Sequence, residues 1–367
     1  RENPGAVTVL TGCYPQAFPE EAAQFTEADL VCGNGDRKAI LDNVQKLLDG
    51  HERIVAITPH QRGEKFEELP VERFETHTRA FIKVEDGCNR QCAYCVIPRA
   101  RGPVRSRSEA SILAELRQLA ASGYREVVLS AISLPSYGLD TGTNLVELVE
   151  KCAQVPGIER IRLGSLDPDM LTPEFITRLA AVDKLCPQFH LSLQSGCDAT
   201  LRRMNRHYDT AGYRAVAEAV RKAFPGAALT TDMMVGFAGE TEADHLESLA
   251  FAREIGFAKI HAFAYSQRPG TRAAAMPDQV PQAEKKRRCA ELISVAAGLR
   301  KTALTAMLGQ VQPVLFESRG QQGCTGYTPN YTPVTVRDPA ARPGDIRPVL
   351  LTVISPDADG CEGIISE

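Results

Sequence analysis

"FIKVEDGCNRQCAYCVIPRARG" runs from Phe81 to Gly102, and its reading decides how the rest of the chain is read. Phe81–Glu85 predicts a short strand. Directly after it come Cys88, Cys92 and Cys95, with Tyr94 between the last two thiols and arginines following. Thiolates are soft ligands suited to iron–sulfur clusters or zinc. Structural zinc usually takes four ligands, as two separated Cys-x2-Cys pairs. Here three thiols crowd one loop, and no fourth Cys or His is close in sequence. Three thiolates on a four-iron cluster leave one iron open to a small chelating molecule. Zinc is the second reading of the residues. A disulfide scaffold is disfavoured, because eleven cysteines are spread over 367 residues with no secretory signal. Cys152, Cys186, Cys197 and Cys289 lie in apolar segments and read as buried small hydrophobes.

Outward from that loop the pattern repeats. Short apolar runs at Phe81–Glu85, Glu126–Ala131, Arg160–Gly164, Phe189–Gln194, Leu229–Gly236 and Lys259–Tyr265 alternate with amphipathic helical stretches. Ser108, Thr172 before Pro173, and Thr241 with Asp244 mark helix starts; Gly123 and Gly256 mark ends. Six strand–helix units imply right-handed crossovers and a parallel sheet, a partial (β/α)6 version of the eight-unit TIM-type barrel. The cysteines then sit at a strand's C-terminal end, where barrel chemistry is housed.

The flanks read differently. Residues 1–57 predict a strand at Val7–Leu10, a turn at Thr11–Cys13 and a helix from about Asp36 to Leu48, the remnant of an α/β domain. The chain opens at Arg1 without Met and enters an apolar run almost at once, so the expectation is a fragment lacking its true N-terminus. Residues 58–77 are polar and Glu-rich and read as a linker, and 78–308 form the core. Residues 309–367 carry short β-like runs at Val311–Phe316, Val334–Val336, Val349–Ile354 and Ile364–Ile365, which predict a small β-barrel. No membrane span is expected, and a cytoplasmic location follows. The net charge is -4, so any RNA contact must use local patches.

Several stretches together resemble the radical S-adenosylmethionine (SAM) methylthiotransferase family. They are the cysteine loop itself, "VVLSAISLPSYG" (127–138), "ERIRLGSLDP" (159–168), "HLSLQSGCDATLRRMNRHY" (190–208), "TTDMMVGFAGETEADHLES" (230–248) and "IHAFAYSQRPGTRAA" (260–274). "TGCYPQ" (11–16) resembles the end of the family's N-terminal domain. "GYTPNYTPV" (326–334) lies where the family carries its TRAM domain, a small RNA-binding barrel. Within the family the resemblance is to the MtaB type, through "IHAFAYSQRPGT" and "GYTPNYTPV".

The resemblance implies the rest. The fold would be a partial radical SAM barrel with a TRAM-like appendage. Cys88, Cys92 and Cys95 would hold a 4Fe-4S cluster whose open iron takes SAM. Tyr94 would lie beside the adenine; its other reading is core packing under the loop. Ser130 and Ala131 would present backbone groups to SAM, although Ala131 stands where the family has Gly. Asp167, Ser192 and Gln194 would reach SAM's polar groups, against a plain reading as strand-end caps. Gly236 and Gly239, with Glu240, would form a turn beside the adenosine; Ala238 departs from the family's Pro.

Cys13 matches the third of three thiols holding a second 4Fe-4S cluster. With the first two upstream of Arg1, the expectation is that this chain assembles one cluster only and binds one cluster's complement of iron. The implied activity is a sulfur-group transfer, methylthiolation of carbon 2 of N6-threonylcarbamoyladenosine at tRNA position 37. The sister substrate isopentenyladenosine, a ribosomal-protein aspartate, and a non-catalytic iron–sulfur RNA-binding role are the competing readings. Implied partners are the tRNA anticodon stem-loop and an electron donor such as flavodoxin or ferredoxin. Arg99, Arg101, Arg105 and Arg107, with Arg202, Arg203, Arg206 and His207, read as an RNA-facing rim, the plain alternative being a salt-bridged surface. Lys285–Arg288 reads as solvated helix surface. Residues 309–367 hold four arginines and no lysine against seven acidic residues, so RNA contact there would rely on shape, Tyr327 and Tyr331.

Overall fold

The computed structural model describes residue 3 and residues 5–69 and 78–366. Six parallel staves form the centre, in chain order. β4 (Arg79–Lys83), β7 (Glu126–Ser130) and β8 (Arg160–Leu163) make one sheet; β9 (Ser165–Leu166), β10 (Gln188–Leu191), β11 (Ala228–Val235) and β12 (Lys259–Ala264) make the other. β8 and β9 are one stave broken at Gly164, so the third strand hands over between the sheets. A side strand pair, β5 (Glu85–Asp86) with β6 (Arg105–Ser106), brackets the cysteine loop and the short helix α4 (Ile97–Arg101).

Helices α5 (Glu109–Ala121), α6 (Leu145–Ala153), α7 (Pro173–Ala180), α9 (Thr210–Ala223) and α10 (Glu242–Ile255) cross over between staves; α8 (Asp198–Arg203) is a short extra turn and α11 (Gln282–Thr305) follows the last stave. The caps are those expected. The Ser108, Thr172 and Thr241 side chains each accept an N–H of the first turn, and Gly256 closes α10 in a left-handed conformation. Alternate strand residues such as Ala80, Leu129, Ile161, Leu191 and Met233 pack with helix residues Leu116, Tyr213 and Phe251 in one apolar core. Each fully buried aliphatic side chain contributes about 1.5–3 kcal/mol. The opposite strand face is left open, and Phe81 and Phe263 are exposed on it.

The N-terminal sheet is three short parallel strands, β1 (Val9–Leu10), β2 (Leu30–Cys32) and β3 (Ile54–Ala56), with α1 (Cys13–Ala17), α2 (Pro19–Ala23) and α3 (Ala39–Leu48). Residues 70–77 of the expected linker lie outside the described residues. Residues 58–69 are not a free tether. His60 lies against Gly102 and bonds Asn34 at 2.9 Å, Glu67 receives Arg37 Nε at 2.7 Å, and Glu68 receives Ser111 Oγ at 2.9 Å.

The C-terminal segment closes into a five-stranded barrel in the order β13 (Val311–Gly320), β14 (Gly323–Tyr327), β15 (Pro333–Val336), β17 (Cys361–Ile365), β16 (Ile346–Ile354). β14 was not among the expected strands. Its sequence, GCTGY, reads as a turn, yet Gly326 is there because a Cβ would come 2.1 Å from the Leu315 carbonyl oxygen.

This barrel seats on the N-terminal ends of the staves. Arg79, Glu126 and Arg160 begin β4, β7 and β8 side by side in register. Glu126 is fully buried and faces the guanidinium groups of Arg162 at 3.0 Å, Arg160 at 3.5 Å and Arg79 at 4.0 Å. The arginines also reach across. Arg160 donates to the carbonyls of Pro313 and Tyr327, Arg162 to that of Pro329, and Arg79 pairs with Glu317 at 2.5 Å. Tyr327 and Tyr331 stack at 4.7 Å, with Arg79 over both rings and Arg162 over Tyr331. These two tyrosines, read from sequence as RNA platforms, are engaged in the joint between barrel and staves.

A buried carboxylate facing three guanidinium groups is destabilising to lose. Glu126→Gln, which keeps the shape and removes the charge, is expected to lower unfolding free energy by about 3 kcal/mol. Urea denaturation followed by circular dichroism checks this; an unchanged midpoint would show that the carboxylate is not the clamp.

Candidate active site

The three cysteines sit on the loop between β5 and α4, at the C-terminal ends of the staves. Their position is held by backbone. Cys88 N–H donates to the Gly102 carbonyl at 3.0 Å, Ala93 N–H to the Met204 carbonyl at 2.9 Å, and Ala273 N–H to the Ala93 carbonyl at 2.8 Å. Ala93 is thus tied both to the end of α8 and to the segment after β12. All three thiols are half-buried, and all eleven cysteines are free. Cys152, Cys186 and Cys197 are buried, as the plain reading expected, whereas Cys289 is only half-buried against the core.

Burial pushes the Cys88 thiol up to about 11 and raises Cys95, and each is further raised by its neighbouring thiols. Such mutually repelling thiols ionise together only against positive charge, which a metal cluster provides. The protein supplies N–H···S contacts to each thiol: Arg90 N–H to Cys88 Sγ at 3.4 Å, Arg206 Nη1 to Cys92 Sγ at 3.2 Å, and the Ile97 backbone N–H to Cys95. Three thiols on one loop, near enough to raise one another, with N–H donors beside them and no fourth metal ligand grouped with them among the described residues, fit a four-iron cluster with one open iron.

Arg206 is the main cation of the site. It pairs with Asp167 at 2.5 Å and lies 4.9 Å from the Tyr208 ring centroid. Burial works against its charge, but Tyr208, Tyr94, Asp167 and Cys92 hold it ionised, its acidity weakened further than usual. Asp167 also accepts from Ser133 Oγ at 3.4 Å. Tyr94 packs edge-on to Phe237 at 6.3 Å, in a cluster with Ala93, Met204 and Tyr265; burial raises its phenol well above the ordinary range. Its ring is therefore part of the packing under the loop.

The remaining SAM candidates ring the same stave ends. Ser130 Oγ donates to the Ile82 carbonyl at 3.3 Å, and Ala131 packs on the core. The Ser192 carbonyl accepts from Tyr208 Oη at 2.5 Å. Gln194 has a φ of 66°, unusual outside glycine, and holds β11 through both its N–H and its carbonyl. Gly236 has a φ of 69°, and a Cβ there would meet Lys285 Cγ at 2.4 Å.

That contact corrects the reading of Lys285–Arg288. Only Lys286 and Arg287 are solvent-exposed. Lys285 and Arg288 are buried, Lys285 Nζ donating to the Tyr265 carbonyl at 3.0 Å and Arg288 to Glu240 at 2.8 Å. Glu240 in turn accepts Gly236 N–H at 2.9 Å. α11 therefore braces the glycine turn. Gly239, with a φ of 72°, lies near Arg203.

The arginine rim needs correction too. Arg105 is buried, its guanidinium directed at the carbonyls of Arg101 and Pro103 and at Asp86. Arg107 is buried against Glu115 and Ser111. Arg101 pairs with Asp86 at 3.5 Å, Arg203 with Asp244 at 2.7 Å, and Arg206 belongs to the thiol site. Acidic partners distant in sequence have consumed them. Of the set, Arg99, over the Phe18 ring, Arg202 and His207 are exposed. Arg268 and Arg272, outside the predicted set, are exposed on the same end. The signal for the last two was the loop "SQRPGTR" after a stave.

Cys13 begins α1 and is half-buried. Asn34 Nδ2 reaches its Sγ at 3.7 Å and the Ala100 carbonyl at 3.0 Å. One amide thus links that thiol to the cysteine loop's helix. A cavity of about 1130 Å³ opens there, lined by Gln16, His60, Lys65, Cys88, Arg90 and Arg99. Arg90, paired with Asp169 at 2.7 Å, was also missed.

This barrel and its thiol site define a radical SAM enzyme. A radical SAM superfamily model matches residues 82–252. Among solved structures, the radical SAM methyltransferase TsrM from Kitasatospora setae, with tryptophan and a SAM analogue bound, shares the fold at a TM-score of 0.57 and 15% identity, over 72% of this chain and 57% of that one. The threonylcarbamoyladenosine tRNA methylthiotransferase MtaB of Bacillus subtilis is 35% identical over 344 residues, 92% of this chain and 76% of that protein. MtaB of Thermotoga maritima is 35% identical over 90% of this chain and 75% of its own length. The tRNA-2-methylthio-N(6)-dimethylallyladenosine synthase of Pelotomaculum thermopropionicum is 36% identical over 88% and 73%. The chain belongs to the radical SAM methylthiotransferase family, of the MtaB type, and its cofactors are a 4Fe-4S cluster and SAM. No helix among the described residues is long and apolar enough to cross a membrane.

Glu85 offers a test of the site's packing. It is fully buried, accepts Ser133 N–H at 2.9 Å, and burial lifts its carboxyl from 4.5 to about 8. Above pH 4.5 the unfolded chain sheds this proton while the folded chain keeps it, so folding stability falls as pH rises to about 8. Glu85→Gln is expected to raise the melting temperature more at pH 8 than at pH 5. Equal shifts at both pH values would contradict a protonated Glu85.

Proposed function

We propose that this enzyme methylthiolates carbon 2 of N6-threonylcarbamoyladenosine at position 37 of tRNA. The observation that carries the reading is the open stave face below the thiol loop. It presents His190, Asp232 and His261 within 4.8 Å of one another, a polar lining suited to a polar N6 substituent. The similarity to two MtaB proteins agrees. The dimethylallyl reading has its own support in the 36% identity to the synthase, but an apolar prenyl group would desolvate these polar side chains without bonding to them.

When bound, the cluster and SAM supply one-electron cleavage chemistry and the methyl donor. The protein's own groups do the positioning. Arg206, fixed by Asp167 and Tyr208, offers a buried cation beside Cys92 for a carboxylate. Tyr94 and Phe237 form an apolar floor. Glu240, Arg288 and Lys285 fix the turn at Gly236 so that backbone can approach a ligand. Ser130, Ala131, Asp167, Ser192, Gln194 and Gly239 complete the proposed SAM surround. Cys13 would serve a second cluster across the cavity, and a flavodoxin- or ferredoxin-like protein would supply electrons. The base must leave its stack to enter the open face.

Nucleoside mass spectrometry of tRNA from a host lacking its own methylthiotransferases and expressing this protein tests the substrate. Appearance of 2-methylthio-threonylcarbamoyladenosine is expected; the isopentenyl derivative instead would replace the reading.

The RNA rim is testable separately. Arg268→Ala with Arg272→Ala is expected to weaken tRNA binding and to lower the salt slope by about 1 per phosphate-contacting arginine. Arg107→Ala should instead destabilise the fold by about 3 kcal/mol, because it removes one side of a buried ion pair with Glu115. Filter binding across a salt series and thermal melts separate the two.

A further inference from the structure

His190, Asp232 and His261 come from three adjacent staves. His190 on β10 pairs in register with Thr230 on β11, and Asp232 on β11 pairs with His261 on β12. All three side chains point away from the helices, into the open face, because their neighbours Phe189, Leu191, Met233 and Ile260 fill the core side. The donor atoms lie within 4.8 Å of one another, and the imidazole rings are 6.0 Å apart.

Hydrogen bonding orients the first ligand. His190 Nδ1 is 3.1 Å from Thr230 Oγ1, which also receives Gln188 Nε2 at 3.3 Å. With Nδ1–H donating to the threonine oxygen, Nε2 turns its lone pair to the centre of the cluster. There it has no hydrogen-bond partner and sits 3.5 Å from Asp232 Oδ2, itself an acceptor. In that tautomer the two atoms present lone pairs to one another, an arrangement that a cation between them would satisfy. Lys259 and Asp359 are the other charged groups near His261; they pair with each other at 3.0 Å.

We propose that His190, Asp232 and His261 bind a divalent transition-metal cation on the open face of the staves. Two imidazoles and one carboxylate suit zinc or ferrous iron, and three protein ligands leave positions open to the cavity for water or a substrate oxygen. Thr230 and Gln188 are the outer partners that fix the His190 tautomer. The other such cluster among the described residues, Cys197, Asp244 and Glu247, lacks this freedom, because Asp244 already binds Arg203 and the Thr241 N–H.

The site is distinct from the thiol loop, so it can be tested on the cluster-loaded enzyme without RNA. Anaerobic holoprotein is titrated with zinc ions, and bound zinc is counted after gel filtration. Wild type is expected to hold one zinc equivalent more than Asp232→Asn or His261→Ala, with cluster absorbance equal in all three. Thr230→Val is expected to weaken zinc binding about 10-fold or more. Equal zinc in wild type and ligand variants would overturn the proposal. If a variant misfolds, anomalous diffraction from zinc-soaked wild type, above and below the zinc edge, decides. A peak between the three side chains supports the site, and zinc found only elsewhere refutes it. Because tRNA is absent, failure here leaves the substrate reading standing, and failure of the tRNA assay leaves the metal site standing.

Discussion

One residue, Ala93, ties the thiol loop to the rest of the molecule through both of its backbone polar groups. Its N–H and carbonyl bond to the segments after the fourth and sixth staves. Three thiols that are to share one ligand must be held at fixed separation, and short loops alone do not hold them so. Fastening the middle of the loop across the mouth of the half-barrel removes that freedom. It also brings Tyr94 onto Phe237 and places Arg206 beside Cys92. The cation, the apolar floor and the thiols are therefore one construction, set by backbone hydrogen bonds made far away in sequence.

Charge placement follows the same logic of distant partners. Arg105, Arg107, Lys285 and Arg288 look like surface charge in a linear reading, and each is buried against a carboxylate or carbonyl. Buried charges persist only when paired, and a pair costs much more to break than to omit. These residues thus stabilise the shape of the site while contributing nothing to an electrostatic rim. The rim is left to Arg99, Arg202, Arg268 and Arg272.

Much of this was legible in the chain. Apolar runs with capped helices between them marked the six staves, because period and capping are local signals. The spacing of Cys88, Cys92 and Cys95 set the thiol loop apart for the same reason. What escaped was non-local. β14 is hidden because its glycines serve close packing on Leu315 rather than a turn. Tyr327 and Tyr331 were misplaced because Arg79 and Arg162, their partners, come from staves far earlier in the chain. The His190, Asp232 and His261 cluster is invisible until register sets three strands side by side.

The joint at Glu126 has a consequence for scale. The C-terminal barrel is fixed to one end of the staves and the thiols to the other, with β11, eight residues long, spanning between them. At about 3.3 Å per residue that is roughly 26 Å. A ligand that touches both must reach along the flank of the half-barrel, so the enzyme carries a built-in ruler. Its length is set by strand geometry and kept rigid by a buried ion cluster.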